Sequence, residues 1–501
     1  MVEHSDNNNV HVLVIPYPAQ GHISPLIQFS KRLVSKGIKT TFATTHYTVQ
    51  SITAPNVSVE PISDGFDESG FTQANNVELF LTSFKTNGSN SLSNIIQKYQ
   101  KTSTPITCIV YDSFLPWALD VAKQHGIYGA AFFTNSAAVC NIFCRIHHGL
   151  IEIPVDELPL VVPDLPPLNS RDLPSFIRFP ESYPAYMAMK LSQFSNLDQA
   201  DWMFVNTFEA LEGEVVKGLT ELFPAKMIGP MVPSAYLDGR IKGDKGYGAN
   251  LWKPLSEYCI NWLNSKPSQS VVYISFGSMV SLTSEQIEEL ALGLKESEVN
   301  FLWVLRELEQ GKLPKGYKDF IKEKGIIVTW CNQLELLAHD AVGCFVTHCG
   351  WNSTLESLSL GVPVVCLPQW ADQLPDAKFL EEIWEVGVRP KEDENGVVKR
   401  EEFMLSLKVV MESERSEVIR RNASEWKKLA RDAVSERGSS NKNIDEFVDH
   451  LMNTNKKGND LSDFGGELEE RETWITKKET LGLSVFVVRI SWVGKHRKHL
   501  G

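Results

Sequence analysis

Short apolar runs alternate with helical segments along this chain, and the alternation occurs twice. "VHVLVIPY" (10–17) is rich in β-branched residues and long enough for one buried strand. Ser24-Pro25 then carries the signature of a helix start, and Leu26, Phe29 and Leu33 keep helical spacing up to Gly37. "KTTFATT" (39–45), "ITCIVYD" (106–112), "YGAAFFT" (128–134) and "WMFVNT" (202–207) are further strands, with a helix from Pro116 to about His125. Strands that alternate with helices call for a parallel sheet covered on both faces. The rhythm restarts with "SVVYISFGS" (270–278), "NFLWVLR" (300–306), "GIIVTW" (325–330), "GCFVTH" (343–348) and "VPVVCLP" (362–368). Thr283 and Gln286 stand at capping-box spacing before a helical segment. The predicted fold class is therefore α/β, with two domains in tandem. They span 1–235 and 257–440, joined by an aperiodic linker at 236–256. Residues 150–200, richer in Pro, predict short helices over a pocket.

Composition excludes several classes of function. A chain of 501 residues with 43% apolar and 22% charged residues can bury more than one core. Its net charge of -13 argues against nucleic acid as a partner, because phosphate backbones want a basic surface. The eight cysteines form no Cys-x-x-Cys pair, which predicts reduced thiols and a cytoplasmic protein. Cys344, His348 and Cys349 lie close in sequence, but neighbours on a strand point to opposite faces, so no metal site is expected. No signal peptide and no membrane span is predicted.

The polar residues of "VTHCGWNSTLESLSLGVPVVCLPQWADQ" (346–373) gather where elements end, and there an open α/β sheet keeps its ligand. A strand ends at His348, Gly350 permits a tight turn, and Asn352 and Ser353 open a helix. A helix start of this kind offers free N–H groups to an anion. Neither G-x-G-x-x-G after a strand nor a P-loop is present, so a diphosphate held by dipole, His and hydroxyls is the fitting guest. Plainer readings exist: Ser353 and Glu356 fit a capping box, Trp330 fits a core, and Asp372-Gln373 fits a turn. In the first domain, His22 follows the first strand and Asp112 ends another, so the two can converge. Taken alone they are a surface His and a capping carboxylate. Together they make a general base, with Asp holding the tautomer and His taking a proton.

Trp330 to Gln373 resembles the signature of plant family 1 UDP-glycosyltransferases. It carries Trp330, Gln333, His348-Cys349-Gly350-Trp351-Asn352-Ser353, Glu356 and Asp372-Gln373 without a gap. The resemblance, over about residues 10–452, implies a GT-B fold of two facing Rossmann-like domains with a cleft between them. It also implies a C-terminal helix (441–452) packed back on the first domain. It assigns Trp330 and Gln333 to the nucleoside, with Cys331 between them in place of a common Ala. Glu356 is assigned to the ribose diol, and Ser278, His348, Asn352 and Ser353 to the diphosphate. Trp351, Asp372 and Gln373 match the sugar side, with Gly350 in the same run and Thr134 reaching the sugar from the first domain. His22 and Asp112 match the catalytic pair. The implied reaction is metal-independent and inverting, from UDP-glucose to a hydroxyl or carboxyl oxygen of a small apolar plant metabolite, in a monomer. Segments such as "ITCIVYDSFLPWALDVA" and "SYPAYMAMKLSQF" resemble the branch that makes glucose esters and glucosides.

Two departures stand out. Asp376 takes the place of a usual Asn, and residues 453–501 have no counterpart; an altered reading frame or retained intron and a disordered tail are expected there. The rival readings are a nucleotide-sugar-binding protein without turnover, a transferase using another UDP-sugar, and a hydrolase. The last lacks its Gly-x-Ser-x-Gly elbow.

Overall fold

The structure, a computed structural model, describes residues 10–457 apart from 221, 250–253 and 322–323. Two parallel sheets form its frame. The first has strands β1 (His11–Ile15), β2 (Lys39–Thr45), β3 (Ser58–Ile62), β4 (Cys108–Asp112), β5 (Tyr128–Phe133), β6 (Trp202–Val205) and β7 (Ala225–Met227). Their order across the sheet is 3-2-1-4-5-6-7. The second has β8 (Val271–Ser275), β9 (Asn300–Val304), β10 (Gly325–Val328), β11 (Val342–Thr347), β12 (Val364–Cys366) and β13 (Gly387–Val388), in the order 10-9-8-11-12-13. Central strands such as β1, β4, β8 and β11 are buried along their whole length, as apolar runs on a doubly covered sheet must be.

In each sheet the chain first winds one way from a central strand and then resumes on that strand's other side. The reversal falls between β1 and β4 in one sheet and between β8 and β11 in the other. At such a point the loops diverge and leave a crevice at the strands' carboxyl ends. His22 follows β1 and Asp112 ends β4; Ser278 and His348 follow β8 and β11. Apolar packing is continuous from one sheet's layers to the other's: Val205 and Phe208 share a buried cluster with Trp351 and Trp384.

Several local expectations are corrected. The helix after β1 spans Gln20–Ser35, so it begins before Ser24-Pro25 and holds Pro25 inside it. Pro25 has no N–H to offer the Gly21 carbonyl four residues back. Asn352 Nδ2, from the second sheet's domain, donates to that carbonyl at 2.7 Å instead. Thr283 caps the helix Ser284–Ser297 by accepting from Gln286 N–H, but the capping box is only half made. The Gln286 side chain bonds Val398 through both its amide groups, at 2.9 and 3.0 Å.

The helix Ser439–Lys457 lies against the first sheet's layer. Phe447 packs on Trp202, Phe204 and Phe29, and Asn443 Nδ2 donates to the Met227 carbonyl. This helix runs past residue 452, where a tail was expected to begin; residues 458–501, with the disorder expected of them, lie outside the described residues.

Candidate active site

A cavity of about 330 Å³ opens between the two sheets. Every candidate residue except Asp112 lines it, including His22 and Thr134 from one side and Ser278, Trp330, Cys331, Gln333, His348 and Glu356 from the other. Gly350, Trp351, Asn352, Ser353, Asp372 and Gln373 complete that second side.

On the first side, His22 sits in the opening turn of the helix that follows β1. Its Nδ1 is 2.7 Å from Asp112 Oδ2. The carboxylate can only accept, so this nitrogen carries the proton and Nε2 is left as the acceptor toward the cavity. Asp112 is fully buried, and its other oxygen accepts the Phe114 N–H at 3.0 Å, which fixes its orientation. The rings of Tyr17 and Phe114 stand 5.3 and 4.7 Å from the His22 ring. The Thr134 hydroxyl lies 3.1 Å from His22 Nδ1, so it supports the imidazole besides lining the cavity.

On the second side, β11 runs into the helix Trp351–Leu360 through His348-Cys349-Gly350. The left-handed residue of this turn is Cys349 (φ 64°), not Gly350. Thr347 Oγ1 accepts the Cys349 N–H at 3.1 Å and steadies the strained residue. Gly350 is needed for a different reason: a Cβ there would come within 2.6 Å of His348 Nε2. Gly277, left-handed after β8, clears the other flank of the same ring, where a Cβ would come within 2.8 Å. Burial lowers the His348 pKa to about 4, so the ring is neutral at pH 7. The helix has Gly350 as its N-cap and no side-chain cap, leaving its first N–H groups without side-chain competition for an anion.

The capping-box reading of Ser353 and Glu356 fails, since the helix begins at Trp351. Glu356 instead accepts from Tyr247 Oη at 2.8 Å and Gln333 Nε2 at 2.7 Å. Burial raises its pKa to about 7, opposed by those two hydrogen bonds. Gln333 also donates to Ser353 Oγ at 2.8 Å and accepts from Tyr273 Oη at 3.2 Å. Its amide is thus engaged at both ends within the protein. The Trp351 indole N–H donates to the Asn206 carbonyl at 2.8 Å, across to the first sheet. Gln373 Oε1 accepts two backbone N–H groups, from Gln369 and Trp370. That bonding occupies its oxygen and leaves the amide nitrogen to the cavity. Cys331 is buried with its thiol 3.5 Å from Tyr273 Oη. Among the described residues no cluster of three His, Cys, Asp or Glu is placed to hold a metal ion.

Sequence reasoning missed Tyr247 and Lys190. Tyr247 lies in the predicted linker, flanked by glycines; Lys190 is a lone cation in the apolar helix Pro184–Ser192. Both line the cavity. Asp376, noted as a departure, is buried between the domains and accepts from Ser136 Oγ at 2.8 Å. Burial raises its pKa well above the carboxylate range, with Asp372 adding to the effect.

Residues 188–431 match the family described as UDP-glucoronosyl and UDP-glucosyl transferase, and residues 8–61 match the glycosyltransferase N-terminal domain. The chain is 49% identical over 462 residues to UDP-glycosyltransferase 74B1 of Arabidopsis thaliana, covering 90% of this chain and 100% of that protein. It is 47% identical over 451 residues to the flavonol 7-O-beta-glucosyltransferase UGT74F1 of the same plant, covering 88% and 98%. The crystal structure of Os79 from O. sativa in complex with UDP superposes with a TM-score of 0.84 at 37% identity, covering 88% of this chain and 100% of that one. Two Rossmann-like sheets facing one cavity, with relatives this similar over nearly their whole length, are the GT-B architecture: the chain belongs to the plant family 1 UDP-glycosyltransferases.

Proposed function

We propose that this transferase moves glucose from UDP-glucose to an oxygen of a small apolar metabolite, with inversion at the anomeric carbon. The observation that carries the reading is one cavity with two complementary walls. One holds a His–Asp pair with Nε2 available; the other holds an uncapped helix N-terminus, a neutral His and a carboxylate. In this reading the Glu356 carboxylate accepts the ribose hydroxyls, while His348, Ser353, Ser278 and the helix N–H groups hold the diphosphate. Trp330 stacks on the base, and Asp372 and the Gln373 amide face the sugar. His22 Nε2 takes the acceptor proton as the acceptor oxygen attacks the anomeric carbon. The bond to UDP breaks on the opposite side, and its charge passes to groups already oriented for it. Asp112, hydrogen-bonded to Nδ1, stabilises the imidazolium.

UGT74F1 is named for a flavonol acceptor and β-glucosyl transfer. The cavity here suits a flat aromatic guest as well, with Tyr17, Phe114, Phe176, Tyr186 and Trp370 in its wall. All eight cysteines are free and buried, which supports a reducing, cytoplasmic setting.

The test offers UDP-glucose, UDP-galactose and UDP-glucuronate with phenols, flavonols and aromatic acids. UDP release and the anomeric configuration of each product are followed. UDP-glucose as the preferred donor and a β-linked product are expected. A preference for another UDP-sugar, or an α-linked product, would overturn the reading.

A further inference from the structure

Lys190 is a cation held in the cavity wall without an anion. The residue is only 5% exposed, yet it lines the cavity between the sheets. Its ammonium lies 4.8 Å from the Phe114 ring centroid and 5.7 Å from that of Phe143. No carboxylate of the described residues comes within ion-pair distance of it. Asp376, the nearby carboxyl, lies beyond that distance and accepts from Ser136 Oγ instead. Aromatic faces offset part of the cost of desolvating an ammonium, but not the whole of it.

The position of this charge matters. Phe114 touches the ammonium on one side and the His22 ring, 4.7 Å away, on another. A molecule that lies against Phe114 therefore meets a ring that neighbours both His22 and Lys190. Tyr17, Phe176, Tyr186 and Trp370 give that wall a large aromatic surface. An aromatic body with a single negative head complements such a pocket.

We propose that Lys190 selects the acceptor, and that the acceptors it selects are small aromatic acids bound through their ionised carboxylates. This rests on the transferase reading above. A carboxylate is already ionised at pH 7. One of its oxygens forms the bond to the anomeric carbon, the bond from that carbon to the β-phosphate oxygen breaks, and the electron pair leaves with UDP. No proton moves, so His22 orients the acid and the product is a glucose ester.

Cinnamate and cinnamyl alcohol differ in charge and share a skeleton. Steady-state kinetics with UDP-glucose and each of the two, for wild type, Lys190→Met and Lys190→Arg, test the proposal. The ratio of kcat/KM for the acid to that for the alcohol is expected to fall about tenfold or more in Lys190→Met. The loss should be mainly in KM, and Lys190→Arg should recover part of it. Met also removes an unpartnered buried charge, so the melting temperature of the empty variant should not fall. A ratio unchanged within about twofold, or turnover of the alcohol but not the acid by wild type, would overturn the proposal. If wild type releases UDP with neither acceptor, the transferase reading is what fails. Calorimetric binding of cinnamate to the UDP-saturated wild type and Lys190→Met then decides the role of Lys190 alone. Equal affinities overturn it, and weaker binding by the variant upholds it.

Discussion

Glu356 is the residue whose surroundings say most about how the donor is held. A carboxylate buried against Tyr247 and Gln333 has a pKa raised to about 7, because burial disfavours the charge more than two hydrogen bonds favour it. The sign of the consequence follows from linkage. The folded, empty protein holds this proton more tightly than the unfolded chain, so Glu356 contributes stability below about pH 4.5 that is lost as pH rises toward 7. In the proposed complex two ribose hydroxyls donate to the Glu356 oxygens, which favours the ionised form, so donor binding works against the proton. UDP affinity should therefore weaken as pH falls below about 7, by up to about tenfold per pH unit. Calorimetry of UDP binding between pH 5.5 and 8 checks this against Glu356→Gln. The diphosphate and His348 titrate alike in both proteins, so the difference in slope isolates Glu356. Parallel slopes would remove Glu356 from the ribose site. The carboxylate itself was legible in the sequence, three residues after Ser353. Its partner Tyr247 was not, because 109 residues separate the two and only the fold joins them. Lys190 escaped for the same reason: its neighbour Phe114 comes from the loop after β4.

Elements were legible where burial is symmetrical. Strands covered on both faces must be apolar throughout, and β1, β4, β8 and β11 announce themselves on that ground. The strands that escaped notice, β3, β7 and β13, all lie at sheet edges. β3 carries Pro61, which an edge tolerates, and β7 and β13 are only three and two residues long. The helix Gln20–Ser35 was placed too far along because Pro25 usually marks a first turn. Here a side chain from the other domain bonds the carbonyl that Pro25 leaves open. The C-terminal helix depends on the same long-range logic. Phe447 is 1% exposed among Phe29, Trp202 and Phe204, so it fastens the end of the chain to the first sheet's layer. Phe447→Ala should destabilise the protein by about 3 kcal/mol in denaturant unfolding. A loss below about 1 kcal/mol would mean that the helix is not held by this ring.

At the scale of the molecule, the catalytic arrangement depends on two sheets keeping their registration. The ties across the cleft are specific. Asn352 donates to the Gly21 carbonyl, one residue from His22, and Trp351 donates to the Asn206 carbonyl. Ala371 and Ser175 exchange two hydrogen bonds, at 2.7 and 3.1 Å. Asp172 is buried between Arg389 and Lys378, at 3.2 and 3.4 Å. Several of these residues stand in or beside the segment that lines the second sheet's side of the cavity, so the same loop also sets its distance from His22. That is why the motif Trp330–Gln373 was legible as chemistry while its second role, joining the domains, was not.

The central claim is that His22, held by Asp112, serves as the base for transfer from a UDP-sugar bound across the cleft. Its most direct test is UDP release from UDP-glucose with a phenol as acceptor, for wild type and His22→Ala, with UDP affinity measured on both. The account predicts that His22→Ala binds UDP as wild type does and loses about 10²–10⁴ in kcat. Turnover by His22→Ala within a few-fold of wild type would contradict it.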